Sequence, residues 1–226
     1  MIIHNVEQGS VPWYTLRLGI PTASCFEKIV TPGGKLSAQS KDYACLLVAE
    51  KLLNRSLVSL DGLEWIERGR ELEPEAIKAY EFEIDQDTQP VGFITTDDLM
   101  IGASPDRLVG DKGLLELKCP APQTQVSYMH FGFGDKYKPQ VQGQLLVSGR
   151  EWVERVAYHP EFPLYRQRDE RDDAYIALLE KSLREFNEMR LDMLEKIGKL
   201  GFFAERKTIV MPLDAEVDYT RLTNAG

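Results

Sequence analysis

The spacing of apolar and polar positions divides the chain into helical and strand-like segments. In several stretches apolar residues recur three or four positions apart, as in a helix that buries one face. The predicted helices are residues 22–30, 37–54, 63–82, 122–129, 138–147 and 171–197. Short apolar runs bounded by turn residues instead predict strands. These are residues 91–95, 100–103, 114–118, 152–158 and 164–168.

Turn residues and the order of the elements indicate the fold. Gly110-Asp111-Lys112-Gly113 is a strong hairpin-turn signal, and Pro74 should either begin a new segment or kink helix 63–82. The order of helices, strands, helix, strands and helix predicts an α/β fold with a central mixed β-sheet flanked by helices. Because there is no repeat or long linker, we expect a single domain over residues 1–226, of which 207–226 form a C-terminal arm.

Composition narrows the class of protein. The 226 residues are 43% hydrophobic, which is enough to fill one core. No stretch approaches the ~20 apolar residues of a membrane span, and the N-terminus lacks the basic region and long apolar run of a signal peptide. We therefore expect a cytosolic protein that does not enter a membrane. Cys25, Cys45 and Cys119 are far apart in the sequence, so we interpret them as reduced thiols.

The net charge of −9 alone argues against a nucleic-acid partner, because phosphate binding generally needs a basic surface. The charge is uneven, however. Residues 1–60 carry +2, residues 61–121 carry −9 and residues 122–226 carry −2. Carboxylates that hold divalent cations would explain part of the acidic segment, and bound Mg²⁺ would cancel some of its charge. The overall charge is therefore weak evidence in either direction.

The acidic segment contains a candidate metal site. Ser104-Pro105-Asp106 precedes the Gly-rich turn, and Glu116-Leu117-Lys118 follows it. Side chains alternate along a strand, so Glu116 and Lys118 share a face while Leu117 points to the core. Asp106 can lie across the hairpin from Glu116, which brings together two hard oxygen ligands that suit Mg²⁺ or Mn²⁺ rather than zinc.

Further groups are available to complete this site. The backbone carbonyl of Leu117 is a plausible additional ligand, and Glu73 in the predicted helix is our candidate for a third carboxylate. Lys118 can reach the attacking water of a phosphodiester hydrolysis. The motif alone is not specific, because a Glu-x-Lys pair on a strand is usually a solvent-facing ion pair.

Three more motifs flank this hairpin, whose second half extends over Leu115 to Pro120. They are Trp13 to Gly19 with Thr22-Ala23-Ser24, Gly69-Arg70-Glu71-Leu72-Glu73, and Gln140-Val141-Gln142. Together with Ser104-Pro105-Asp106 they resemble the lambda-type phage exonucleases, also called YqaJ-type viral recombinases or alkaline exonucleases, within the PD-(D/E)xK nuclease superfamily.

This resemblance implies a function. It implies an Mg²⁺-dependent exonuclease that digests one strand of linear double-stranded DNA in the 5′-to-3′ direction from a 5′-phosphorylated end. The product is a 3′ single-stranded overhang for phage-type recombination. It also implies a homotrimeric ring, a single-strand annealing recombinase as partner, and a phage- or prophage-encoded protein in the cytoplasm of a bacterial host.

The resemblance also assigns roles to individual residues. It implies that Asp106, Glu116, the Leu117 carbonyl and Glu73 bind two Mg²⁺ ions, for which Mn²⁺ can substitute. Lys118 would position or activate water. The residues that hold DNA phosphates would be Arg17, Ser24 and Gln140, with Ser104 adding a hydroxyl, Lys35 contacting the separated strand and Leu63 wedging between terminal base pairs. Arg107 departs from the family, which commonly has glycine there, and we expect it to contact phosphate or to pair with Asp97 or Asp98.

Two other functions remain open from the sequence. A restriction-type endonuclease uses the same metal core but normally dimerises around a palindromic site, and no recognition module is evident here. A nuclease-dead DNA-end-binding protein would keep the fold without the chemistry. The presence of Asp106, Glu116 and Lys118 argues against the second alternative. Simple structural roles also exist for the phosphate-binding candidates, since Arg17 could form a surface ion pair and Ser24 could cap a helix.

Overall fold

The computed structural model describes residues 1–58 and 64–200, with side chains from residue 67 onward in the second range. The predictions made for Leu63 and for the arm 207–226 therefore lie outside the described residues. No helix within these ranges is long and apolar enough to cross a membrane.

Six α-helices and eight strands make up the described residues. The helices are α1 (Val11–Arg17), α2 (Ser40–Leu53), α3 (Glu64–Ile84), α4 (Pro122–Phe131), α5 (Lys138–Ser148) and α6 (Asp173–Gly198). Two 3-10 helices, Ala23–Lys28 and Asp135–Tyr137, lie between them. The strands are β1 (Ile2–His4), β2 (Gln89–Pro90), β3 (Phe93–Thr95), β4 (Gly102–Ala103), β5 (Arg107–Val109), β6 (Gly113–Lys118), β7 (Trp152–Ala157) and β8 (Tyr165–Glu170).

The strands form two sheets. The larger has the order β2-β5-β6-β7-β8 and is antiparallel except for the parallel pair β6–β7. That pair is parallel because α4 and α5 carry the chain from the end of β6 back to the level at which β6 begins, where β7 starts. Parallel neighbours require a crossover of this kind. The smaller sheet, β1-β3-β4, is antiparallel. The predicted α/β fold with a central mixed sheet flanked by helices is confirmed.

Strand β6 has a different environment on each face. Leu114 packs in the large core cluster that includes residues of α2, α5 and α6. Leu115 and Leu117 pack on the opposite face with Ala76 and Tyr80 of α3. The alternation of a strand therefore puts Glu116 on the same face as Leu114, on the side covered by α5.

Several sequence predictions need correction. The helix predicted at residues 22–30 is a 3-10 helix over Ala23–Lys28. Of the predicted strand 91–95 only Phe93–Thr95 forms a strand, β3, and the preceding β2 belongs to the other sheet. Helix α3 continues through Pro74, so this residue does not begin a new segment. The sequence did not reveal α1, β1 or β5. Each of these strands has only three residues, which is too short for alternation to be recognised.

A buried arginine fixes the turn that follows α1. Arg190 of α6 is 4% exposed, and it donates to the Gly19 carbonyl at 2.6 Å and to the Asn187 side chain at 3.0 Å. Gly19 has a φ of +76°, and a Cβ there would lie 2.7 Å from Cβ of Lys51. The turn therefore requires glycine, and α6 holds the end of α1 in place.

Helix α5 packs closely on the 3-10 helix Ala23–Lys28, and this contact predicts that Gly143→Ala destabilises the protein. A Cβ at position 143 would lie 2.4 Å from Cδ2 of Phe26, whose ring is fully buried. Overpacking of this kind costs about 1–3 kcal/mol, which outweighs the gain of roughly 1 kcal/mol in helix propensity. Thermal unfolding should show a Tm lower by several degrees.

The matched control is Gly69→Ala in α3, where no described atom lies within 4 Å of the added Cβ. There the helix propensity acts alone, so the Tm should stay the same or rise. Equal Tm changes in the two variants would show that the Phe26 contact does not constrain α5.

Candidate active site

The β5–β6 hairpin places Asp106 opposite the Glu116-Leu117-Lys118 segment. The Asp106 backbone N–H donates to the Leu115 carbonyl at 3.1 Å, and its carboxylate accepts the backbone N–H of Leu117. The N–H and C=O of one strand residue point to the same side. The Leu117 carbonyl therefore also faces the side of the strand where Asp106 lies.

Glu116 is a buried carboxylate with three protein donors. Its side chain is 7% exposed. Oε1 accepts from Nζ of Lys118 at 2.6 Å and from Nε2 of Gln140 at 2.6 Å, and Oε2 accepts from Nε2 of Gln144 at 2.6 Å. A buried charge is tolerated only when it is paired and hydrogen-bonded, and these contacts meet that condition.

The carboxylates of this cluster influence one another. Burial, and then the charge of Glu116, raise the pKa of Asp106 well above its usual value. Burial also raises the pKa of Glu73, and Glu116 adds to that rise. Burial favours the neutral amine of Lys118, but the charges of Glu116 and Asp106 outweigh it and raise the pKa of Lys118. Excess negative charge therefore surrounds one lysine, and a divalent cation would relieve it.

The residues fit a hard divalent cation by their chemistry. They offer the carboxylates of Asp106, Glu116 and Glu73 together with the Leu117 carbonyl, and oxygen ligands suit Mg²⁺ or Mn²⁺. Among the side chains of residues 1–58 and 67–200, no three His, Cys, Asp or Glu residues lie close enough together to hold a metal ion. Protein donors occupy both oxygens of Glu116 and one oxygen of Asp106.

A second cluster surrounds Arg17. Its guanidinium donates from Nη1 to Oγ of Ser104 at 3.1 Å and from Nη2 to Oγ1 of Thr22 at 3.2 Å. Oγ of Ser24 lies 3.3 Å from the same Thr22 oxygen. The guanidinium also lies 4.1 Å from the ring centroid of Trp13, and Nε1 of Trp13 donates to Ser104 at 3.0 Å.

The Arg17 cluster has the properties of an anion-binding site. Burial lowers the pKa of Arg17 from its usual value, yet arginine remains a cation at neutral pH. Its hydrogen-bond partners are hydroxyl groups, and Arg17 takes part in none of the ion pairs that the described residues form. Ser104, two residues before Asp106, joins this cluster to the carboxylates.

Other predicted residues have different surroundings. Lys35 is exposed in a loop, with its backbone hydrogen-bonded to Thr31, and it belongs to neither cluster. The expected pairing of Arg107 with Asp97 or Asp98 is wrong. Arg107 instead donates to the side chain and carbonyl of Thr88 and lies 3.8 Å from Glu81.

Two further glutamines of α5 have different roles. Gln142 does not face the site. It donates to the Glu170 carbonyl and accepts from the Asp172 backbone, so it supports the start of α6. Gln144 was missed, although its position four residues after Gln140 puts both side chains on one helix face. That spacing was the signal available in the sequence.

Comparison with known proteins identifies the family. The YqaJ-like viral recombinase domain matches residues 12–151, which include both clusters. The chain belongs to this family. No curated protein sequence matches it. The resemblance drawn from the sequence is thus confirmed, and this YqaJ-like chain is a deoxyribonuclease.

Solved structures of exonucleases agree with the family. The chain is 31% identical to an alkaline exonuclease, LHK-Exo, from Laribacter hongkongensis, with a TM-score of 0.77 over 85% of this chain and 98% of that one. LHK-Exo in complex with dAMP gives 32% identity and the same TM-score of 0.77, over the same 85% and 98%. A phage-related exonuclease from Haemophilus somnus 129PT shares the fold at 14% identity, with a TM-score of 0.59 over 79% and 96% of the two chains. These YqaJ-like and exonuclease relatives confirm the PD-(D/E)xK type of fold.

The contact between Gln144 and Glu116 predicts a loss of activity in Gln144→Leu. The substitution is close in size but leaves Oε2 of the buried Glu116 without its donor. Removing a residue that orients a metal-binding side chain typically costs about 10- to 100-fold in metal affinity or activity. Nuclease turnover on linear duplex DNA, titrated with Mg²⁺, measures this loss.

Gln39→Leu serves as the control, because Gln39 is an exposed residue before α2. It should retain the wild-type rate and the wild-type Mg²⁺ midpoint. If Gln144→Leu also keeps both values, Gln144 does not orient Glu116 for metal binding.

Proposed function

We propose that the chain is an Mg²⁺-dependent exonuclease that digests one strand of linear double-stranded DNA in the 5′-to-3′ direction. Digestion begins at a 5′-phosphorylated end and leaves a 3′ single-stranded overhang for phage-type recombination. The observation that supports this most is the link through Ser104. It places a half-buried cation, Arg17, next to the chain segment that carries Asp106. A site for a terminal phosphate and a site for hydrolysis are then adjacent.

In this proposal the carboxylate cluster holds the metal ions. Asp106, Glu116 and the Leu117 carbonyl would hold Mg²⁺, with Mn²⁺ able to substitute, and Glu73 would hold a second ion. When bound, such ions polarise the phosphoryl oxygens and provide an activated water. Lys118 lies on the Glu116 face of β6, where it positions the attacking water and reduces the negative charge that develops at the phosphoryl group.

The Arg17 cluster holds the end of the substrate strand. A terminal phosphate carries more charge than an internal one, so it gains more from the guanidinium. Ser24 and Ser104 add hydroxyl groups, and Gln140 adds an amide beside the carboxylates. A complex of the relative LHK-Exo with dAMP, a 5′-mononucleotide, agrees with a reaction of this class.

Several further features follow from membership in the family. We propose a homotrimeric ring that works with a single-strand annealing recombinase in the cytoplasm of a bacterial host. Residues 1–226 would form one nuclease domain, with 207–226 as an arm. Lys35 would contact the separated strand, and Leu63 would wedge between the terminal base pairs. These roles rest on the family rather than on contacts within the described residues.

Digestion of labelled linear duplex DNA tests the proposed function. With Mg²⁺ we expect stepwise release of nucleotides from phosphorylated 5′ ends, while closed circular DNA stays intact and Lys118→Ala is inactive. Cleavage of the circle would instead indicate a restriction-type endonuclease. The absence of Mg²⁺-dependent cleavage of every substrate would leave only a DNA-end-binding protein.

The Arg17 cluster predicts a specific change in end preference. Arg17→Ala should lower kcat/KM on 5′-phosphorylated duplex by about 10- to 100-fold, because hydrogen bonds to charged groups contribute about 1.5–3 kcal/mol. The rate on 5′-hydroxyl duplex should change much less. Parallel assays of the two substrates therefore measure the contact with the terminal phosphate.

Arg184→Ala is the control for loss of an arginine, since Arg184 is exposed on α6. It should keep the wild-type preference for the phosphorylated end. Equal losses on both substrates in Arg17→Ala would show that Arg17 supports the fold rather than the phosphate.

A further inference from the structure

Tyr137 lies between two lysines beside the carboxylate cluster. It ends the 3-10 helix Asp135–Tyr137, directly before α5. Nζ of Lys118 lies 5.6 Å from the centroid of its ring, and Nζ of Lys136 lies 4.7 Å from the same centroid. One aromatic ring thus connects the lysine of the carboxylate cluster to a second ammonium group.

Further contacts hold this ring in position. The hydroxyl groups of Tyr137 and Tyr128 are 2.8 Å apart, and Lys136 also lies 5.7 Å from the Tyr128 ring. Phe133 is 2% exposed and packs edge-on against Tyr137, with ring centroids 6.2 Å apart. The guanidinium of Arg155 lies 4.9 Å from the Phe133 ring. Lys136 therefore rests on a packed aromatic platform rather than on a mobile surface.

The charge of Lys136 is available to a ligand. The neighbouring cations are engaged, because Lys118 pairs with Glu116, Arg155 with Asp169 and Lys138 with Asp172. Lys136 is exposed and occurs in none of the ion pairs formed by the side chains of residues 1–58 and 67–200. A lysine held against two tyrosines without a carboxylate partner is suited to an anion.

A series of contacts connects Arg17 to Lys136 through the carboxylate cluster. Arg17 contacts Ser104, the chain continues to Asp106, and the Asp106 carboxylate accepts from the strand segment that carries Lys118. Lys118 in turn contacts the ring that holds Lys136. The carboxylates therefore stand between Arg17 and Lys136 in this series. A strand with its terminal phosphate at Arg17 and its scissile phosphate at the carboxylates would reach Lys136 with a later phosphate.

We propose that Lys136, held by Tyr137 and Tyr128, binds a backbone phosphate of the cut strand on the 3′ side of the scissile bond. The inference rests on the proposed exonuclease function and deepens it. A contact on that side holds the part of the strand that stays with the protein after a nucleotide leaves. It supports binding of the remaining DNA and is separate from recognition of the 5′ end.

Binding of duplex DNA without divalent cations tests this site. Lys136→Ala should weaken binding of a 5′-phosphorylated duplex several-fold. The plot of log association constant against log salt concentration should become less steep by about 0.9, as expected for the loss of one phosphate contact. Lys136→Arg should retain most of the affinity. In the nuclease assay KM should rise while kcat stays nearly constant. The control is Lys181→Ala, on the exposed surface of α6, which should bind as the wild type does.

A single uncharged linkage in the DNA identifies the phosphate concerned. Duplexes with one methylphosphonate at the first, second or third linkage past the scissile bond remove one charge at a time. At one of these positions the methylphosphonate should lower the affinity of the wild type. The affinity of Lys136→Ala should not change there, because this variant already lacks the contact. If the two proteins respond equally at all three positions, the proposal is wrong. Failure of the wild type to digest unmodified phosphorylated duplex would instead reject the exonuclease function itself.

Discussion

The burial of Glu116 is the constraint on which the candidate site depends. Strand β6 lies in the middle of the larger sheet, and its Glu116 face is covered by α5. A carboxylate in that position must be compensated, because an unpaired buried charge is strongly unfavourable. Lys118 supplies a positive charge from the same strand, while Gln140 and Gln144 supply amide donors from the helix above. The position of α5, which Gly143 brings close to Phe26, therefore also sets the orientation of the carboxylate.

The Arg17 guanidinium and the carboxylates of the site are close but do not form an ion pair. The cation of Arg17 is held by hydroxyl groups and by the Trp13 ring, so it does not neutralise the nearby carboxylates. Two oppositely charged groups are thus kept next to each other and available to ligands of opposite sign. Divalent cations suit the carboxylates, and a phosphate suits the guanidinium. This separation explains how a chain with a net charge of −9 can act on DNA.

The sequence predicted those parts of the molecule that local pattern determines. Six-residue β6, with its alternation and flanking turn, was recognised, whereas three-residue β5 was not because alternation needs a longer run. The apolar spacing predicts a helix at residues 22–30 but does not distinguish the observed 3-10 helix Ala23–Lys28 from an α-helix, since both place apolar residues three apart. The contact between Arg17 and Ser104 joins residues 87 positions apart, so local pattern could not predict it. Family resemblance indicated only that both residues bind phosphate. Gln144 was overlooked although its helical spacing was visible.

The central claim is that Asp106 and Glu116 share one divalent cation. Titration of Mn²⁺ followed by electron paramagnetic resonance measures this binding directly, without DNA or catalysis. The wild type should bind Mn²⁺, and both Asp106→Asn and Glu116→Gln should weaken binding at least about tenfold, with Gln39→Leu unchanged. If the two carboxylate variants bind Mn²⁺ as tightly as the wild type, the cation is held elsewhere and the account of this site is wrong.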